Sequence, residues 1–247
     1  MGVLRAALFD LDDTLVDHLH ASRAAVAVVR DTFTALQGRE LEAMVAENDR
    51  LIEILHVEVG LGRRTADDAR IERYRLLFAF ADADATRAPG AAELHRRIYM
   101  DSRREVPGAS ALLAALQGHV TIAVVTNNTV AEQAEKLETF GLAQFVDALV
   151  TSEEVGAAKP DGLIFVRALE RCGCTPGAAV MVGDSWRNDV EGAQRAGIRP
   201  LWFNRRSMPA PDPAVDSVMS LEPTTALVNR ILGRATASAF APPTPTQ

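Results

Sequence analysis

The order of hydrophobic patterns along this chain constrains its fold more than any composition figure. A short apolar strand candidate, Arg5 to Phe9, is followed by a long block with helical periodicity only. From about His20 to Arg104, Ala24, Val28, Phe33 and Leu36 recur at near-helical spacing, as do Leu41, Val45, Leu51, Ile54 and Leu55. Gly60-Leu61-Gly62-Arg63-Arg64 reads as a break. Thr65 followed by Asp67 and Asp68 then reads as a helix N-terminus with acidic residues at its positive end. That helix carries Ile71, Tyr74, Leu77 and Phe78 on one side. Pro89-Gly90 reads as a second break, ahead of a helix through Leu94, Ile98 and Tyr99.

After Val106-Pro107-Gly108 the texture alternates. Strand candidates are Val120 to Val125, Ala148 to Val150, Ala179 to Val182 and Arg199 to Phe203. Helical stretches lie at Ala109 to Leu116, Val130 to Phe140, Leu163 to Arg171 and Asp189 to Ala196. Such alternation predicts a parallel sheet covered on both faces. The expected fold class is therefore α/β: a Rossmann-like, doubly wound parallel sheet formed by residues 1–16 and 105–234. An all-helical domain, 17–104, interrupts it after the first strand. With 247 residues and 48% hydrophobic content, the chain can bury a core of that size. Residues 235–247, proline-rich and aperiodic, read as a disordered tail.

Charge narrows the partners. The net charge is −7 and no basic run is long enough for a nucleic-acid or membrane footprint. Cys172 and Cys174 are too few for a disulfide framework or a complete zinc site and read as idle thiols. No leader pattern and no membrane-length apolar run is evident, so a cytoplasmic protein is the expectation. Lys136 and Lys159 are the only lysines among many arginines, which makes each worth attention.

Four short segments carry the chemistry. Asp10-Leu11-Asp12-Asp13-Thr14 follows the first strand, and its crowded carboxylates call for a cation or divided protonation states. Val124-Val125-Thr126-Asn127-Asn128 ends a strand in a hydroxyl and two amides. Ala158-Lys159-Pro160-Asp161 sets one of the two lysines before a helix. Met181-Val182-Gly183-Asp184-Ser185-Trp186-Arg187-Asn188-Asp189 runs from a strand into two carboxylates five apart.

Each segment alone is weak, but in this order they closely resemble the four motifs of the haloacid dehalogenase-like superfamily, over residues 1–16 and about 105–205. The helical insertion resembles that superfamily's C1 cap. The Gly60 to Phe78 stretch and Asp161 to Phe165 are similar to the branch of pyrimidine nucleotidases and N-acylneuraminate 9-phosphatases. The resemblance implies a phosphatase in which Asp10 is the nucleophile and forms an aspartyl-phosphate. Asp12 would protonate the leaving alkoxide and later deprotonate water. It further implies Mg²⁺ held by the Asp10 side chain, the Asp12 backbone carbonyl and Asp184, with Asp189 acting directly or through water. Thr126 and the Asn127 backbone would bind phosphoryl oxygens, and Lys159 would offset charge on Asp10 and the phosphate.

Other residues read more blandly. Asp13, Asn128 and Thr129 suit turns and caps, and Trp186 suits packing. His18 and His20 read as solvated or substrate-facing rather than metal-bound. Arg64, beside Arg63 on the glycine-rich loop, and Arg70, with Arg73 nearby, are candidate substrate-side cations.

The same scaffold hosts several chemistries. Halide leaves without a proton, so Asp12 argues against dehalogenation. A phosphonate-cleaving Schiff base needs a cap lysine, and His20 to Arg104 contains none. The expected function is hydrolysis of a small phosphorylated metabolite, a nucleotide or a sugar or acyl-sugar phosphate, by a monomer or homodimer. A phosphosugar mutase and a non-catalytic regulator are the alternatives.

Overall fold

The first strand in sequence is the central strand of the sheet. In the computed structural model, which describes residues 3–60 and 62–234, β1 (Ala6–Phe9) pairs in parallel with β2 (Thr121–Thr126) on one side and β4 (Ala179–Gly183) on the other. Outside them lie β3 (Ala148–Thr151), β5 (Arg199–Phe203) and a two-residue β6 (Ser217–Val218), giving the order β3-β2-β1-β4-β5-β6. Strand order therefore reverses at β1. In an open parallel sheet this reversal leaves a crevice at the carboxyl end of the central strand, and Asp10 follows there.

Both faces of the sheet are buried, which explains the near-continuous apolar strands. Ala7, Phe9, Ile122, Val124, Val180, Val182, Leu201 and Phe203 face one way. They pack against Leu112, Leu113 and Leu116 of α5 (Ala109–Leu116) and Leu227, Val228 and Ile231 of α10 (Thr224–Ile231). The intervening residues Ala6, Leu8, Ala123, Val125 and Met181 meet Ile164, Phe165, Ala168 and Leu169 of α8 (Gly162–Cys172). Alternation of period two divides one strand between two cores. The remaining helices of this α/β part are α6 (Val130–Thr139), α7 (Ser152–Val155) and α9 (Gly192–Arg195), the last preceded by a π-type turn at Trp186–Glu191.

Between β1 and α5 lie α1 (His18–Thr32), α2 (Leu41–Gly60), α3 (Ala66–Phe80) and α4 (Ala88–Ser102). They bury a separate core of Val26, Val29, Leu36, Met44, Leu51, Leu77 and Phe78, with Phe33 edge-on to Phe78 at 5.9 Å. Thr65 caps α3 by accepting from Asp68 N, as its sequence predicts. Pro89-Gly90 does not break the chain: it lies in the first turn of α4, where proline's missing N–H has no intrahelical partner to lose. The connection back to the sheet is pinned. Val16 bridges Asp12 and Glu105, and Asp17 accepts from both Arg104 and Arg205 at 2.7 and 3.1 Å.

The helix ending the stretch around Asp189 is split into the π-type turn and α9, and β6 and α10 have no counterpart among the sequence expectations. Two residues are too few for alternation to register, and α10 shows its apolar face only as Leu227, Val228 and Ile231. The expected tail at 235–247 lies outside the described residues. Among those described, no helix is long and apolar enough to cross a membrane.

Buried polar pairs sit inside the helical part: Asn48 Nδ2 donates to Ser22 Oγ at 3.0 Å, and Tyr74 Oη lies 2.7 Å from His95 Nδ1. Burial holds His95 well below the usual imidazole range. The unfolded chain then binds a proton at His95 that the folded chain refuses, so stability is lost as pH falls below about 6.5. Thermal melts should show a lower midpoint at pH 5 than at pH 7.5 in part because of this group, and His95→Gln should flatten that part of the slope.

Candidate active site

The crevice is built around one ammonium group. Lys159 Nζ donates to Asp10 Oδ1 at 2.6 Å and to Asp189 Oδ1 at 2.7 Å, with all three side chains buried. Asp10 is set by the end of β1, its N–H donating to Val182 O on β4 at 2.9 Å, and its second oxygen accepts from Thr14 Oγ1. Lys159 is set by Asn127, whose amide clamps the loop from both sides: Asn127 Nδ2 donates to Lys159 O at 2.9 Å and Lys159 N to Asn127 Oδ1 at 2.6 Å. Asp189 enters through the turn after β4, where Ser185 N donates to its Oδ2 at 3.0 Å and the Ser185 hydroxyl caps Asn188 N. Gly183 makes this approach possible, because a Cβ there would overlap the Asp189 carboxylate.

Asp10, Asp184 and Asp189 can each place an oxygen within 4.8 Å of the others. One lysine does not balance three carboxylates. Burial first, then Asp189 and Asp12, push Asp10 up to about 7 against the pull of Lys159. Burial and Asp10 push Asp184 well above its ordinary range. An oxygen-only, electron-rich set of this kind fits a hard divalent cation. Asp184 is the least committed of the three, and its backbone carbonyl is fixed by Trp202 Nε1 at 2.8 Å. Trp202 also takes Trp186 edge-on at 5.0 Å, so Trp186 packs as expected. Asp13 Oδ1 accepts from Leu19 N at 2.7 Å in a residue at φ 66°, which is a turn role.

Asp12 faces the other way. Lys136 Nζ donates to both of its oxygens, at 2.8 and 2.9 Å, and Gln133 Nε2 donates at 3.0 Å. The same Gln133 amide reaches Thr126 Oγ1 at 2.6 Å, tying the end of β2 to Asp12. Burial would raise the Asp12 pKa, but Lys136, His18 and Gln133 outweigh it and hold the group below the usual carboxylate range. In turn, Asp12, Tyr99 and Glu132 overcome the burial of Lys136 and keep it charged. Sequence reasoning assigned no role to Lys136 or Gln133. The available signal was the scarcity of lysine together with an i, i+3 polar pair on α6.

A cleft of about 790 Å³ opens over Asp10, Thr126, Asn127, Lys159, Asp184 and Asp189. A second, of about 390 Å³, runs between the helical layer and α6, and the two share Asp12, His18 and Ile52. Arg70 lines the second cleft, paired with Asp67 at 2.6 Å and with Glu132 at 3.7 Å. Arg64 lines neither. Its Nε donates to Glu58 at 2.7 Å, so the structure does not bring it to the site.

Residues 4–197 match the haloacid dehalogenase-like hydrolase family. Pyrimidine 5'-nucleotidase YjjG of Escherichia coli (strain K12) is 33% identical over 227 residues, covering 87% of this chain and 94% of that protein. A phosphoserine phosphatase of Thermus thermophilus is 34% identical over 227 residues, covering 83% and 91%. Among solved structures, the HAD hydrolase YfnB of Bacillus subtilis, bound to magnesium, superposes with a TM-score of 0.71 at 25% identity, covering 92% of this chain and 100% of that one. The chain belongs to the haloacid dehalogenase-like hydrolases.

Gly183→Ala should displace the Asp189 carboxylate and its bond to Lys159. The expected cost is about 1–3 kcal/mol of stability, read as a lower midpoint in urea unfolding; an unchanged midpoint would show that the turn yields freely.

Proposed function

We propose that the protein is a Mg²⁺-dependent phosphatase of small phosphomonoesters that works through an aspartyl-phosphate on Asp10. The observation carrying this reading is the buried Asp10–Lys159–Asp189 cluster at the mouth of an open cleft, with Asp12 two residues beyond the nucleophile. A phosphomonoester repels nucleophiles through its own charge, so fixed positive groups must come first. Asp10, Asp184 and Asp189 would hold the cation, which supplies charge neutralisation at the phosphoryl oxygens. Lys159, fixed by Asn127, adds a permanent positive charge beside the attacking oxygen. Thr126, positioned by Gln133, presents its hydroxyl at the end of β2.

In the first half-reaction an Asp10 oxygen forms a bond to phosphorus as the bond to the leaving oxygen breaks, and Asp12 gives that oxygen its proton. In the second, Asp12 takes a proton from water, the water oxygen bonds to phosphorus, and phosphate leaves Asp10 as a free carboxylate. Asp12 as held by Lys136 is a carboxylate, the form the second half-reaction needs. Acting as an acid requires it to turn from Lys136 toward the substrate. Pyrimidine nucleotides and other small phosphorylated metabolites, including sugar and acyl-sugar phosphates, are the substrate class that the relatives and the size of the clefts support.

Asp10→Asn should lower kcat by at least about a thousandfold on any ester while leaving the melting curve cooperative; near-normal turnover would sink the assignment. Asp12→Asn separates the two half-reactions. With p-nitrophenyl phosphate, whose leaving group needs no acid, it should release about one equivalent of nitrophenolate per enzyme and then stall. Steady turnover at the wild-type rate would remove Asp12 from the mechanism.

A further inference from the structure

Arg73, on α3, is a buried cation without a partner. It is 8% exposed, yet among the described residues no carboxylate pairs with it and its Nε has no hydrogen-bond acceptor. Its guanidinium lies 5.7 Å from the ring of its own neighbour, Tyr74. Leaving a guanidinium buried and unpaired is costly, and proteins ordinarily pair such a charge. Three other cations of the same cleft are paired: Arg70 with Asp67 and Glu132, Arg103 with Glu135 at 2.5 Å, and Lys136 with Asp12, while Arg96 is exposed to solvent.

Arg73 lines the 390 Å³ cleft beside the Asp10 crevice. Among the described residues, five cationic side chains line that cleft (Arg70, Arg73, Arg96, Arg103 and Lys136) against three carboxylates, Asp12, Glu132 and Glu135. The rest of the wall is largely apolar, with Ile52, Leu55, Val59 and Met100 prominent. The two clefts share Asp12, His18 and Ile52, so this space adjoins the Asp10 crevice on the side of Asp12. Asp49, the carboxylate whose field reaches Arg73, lines the other cleft and makes no ion pair with it. His95, which lines the same cleft, is held neutral by burial and offers no counter-charge.

We propose that the leaving group of the physiological substrate carries an oxyanion, a carboxylate or a second phosphate, that pairs with the Arg73 guanidinium in this cleft. The inference rests on the phosphatase reading and deepens it by naming the substrate class. A planar guanidinium with unused donors accepts a carboxylate or phosphate through two parallel hydrogen bonds. The apolar walls strengthen that pairing by excluding water. Arg73 is then a specificity residue, remote from the bond that breaks.

The test uses esters matched except for charge on the leaving group. The pairs are 3-phosphoglycerate with glycerol 3-phosphate, 6-phosphogluconate with sorbitol 6-phosphate, and fructose 1,6-bisphosphate with fructose 6-phosphate. With the full chain and Mg²⁺, kcat/KM should favour the charged member of at least one pair by about tenfold to a hundredfold. The first two pairs report a carboxylate and the third a second phosphate. Arg73→Gln should erase that preference through KM while leaving p-nitrophenyl phosphate within about threefold, and Arg73→Lys should restore part of it. Removing an unpaired buried charge should also leave the melting temperature unchanged or raise it, whereas a structural arginine would lower it. Equal use of charged and neutral partners by the wild type overturns the inference, as does an equal loss on every ester in Arg73→Gln. If the wild type fails to turn over even p-nitrophenyl phosphate, the phosphatase reading fails instead. Calorimetric binding of the same pairs to Asp10→Asn protein, with and without Arg73→Gln, then decides the inference alone: a charge preference that depends on Arg73 supports it, and equal affinities overturn it.

Discussion

The contact on which the rest of the structure depends is the ammonium of Lys159 between Asp10 and Asp189. It joins the ends of β1 and β4 to the loop before α8, three segments brought together only because β1 is the central strand. Without that cation, three carboxylates around one buried point would repel each other strongly. With it, the cluster keeps excess negative charge, which is the condition for recruiting a divalent cation rather than merely closing an ion pair. The supporting details serve this balance. Asn127 holds the lysine's backbone from both sides, and Gly183 leaves room for the carboxylate of Asp189.

Much of this was legible in the sequence because strand ends are local features. Asp10, Thr126 and Asp184 each follow an apolar run of sheet length, and a parallel sheet gathers such ends along one edge. Lys159 stood out through the scarcity of lysine. The interruption of the α/β pattern after the first strand was equally plain, since helical and strand periodicities differ. Pro89-Gly90 misled because proline breaks a helix interior but is welcome in a first turn, and only the position of the helix start distinguishes the two.

What the sequence left unread depends on how helices are rotated against one another. Lys136 and Gln133 are ordinary residues of an amphipathic helix until α6 turns them toward Asp12. The arginines show the same limit. Arg64 on a glycine-rich loop looked as able to meet a substrate as Arg70 on the following helix. Folding instead gives Arg64 to Glu58, and places Arg73, one turn beyond Arg70, in the cleft without a partner. No local pattern separates a paired arginine from an unpaired one, because the pairing carboxylates lie on other elements.

Helix α6 links the two halves of the site. Its Glu132 and Glu135 take Arg70 and Arg103 from the helical layer, while its Gln133 and Lys136 take Asp12. Glu132 also pairs with Lys136 at 3.1 Å, so the cation that holds Asp12 shares a carboxylate with a cap arginine. Residues three and four apart on one helix are neighbours, and the two functions therefore meet within a single turn. Arg70, Glu132 and Lys136 thus form a chain of ion pairs, at 3.7 and 3.1 Å, in the cleft that Arg73 also lines. Arg70 and Asp12 are thereby connected through ion pairs on one face of α6. The two carboxylates are held differently: Asp10 belongs to the sheet edge and its lysine, whereas Asp12 is held by a helix that also pairs with the cap.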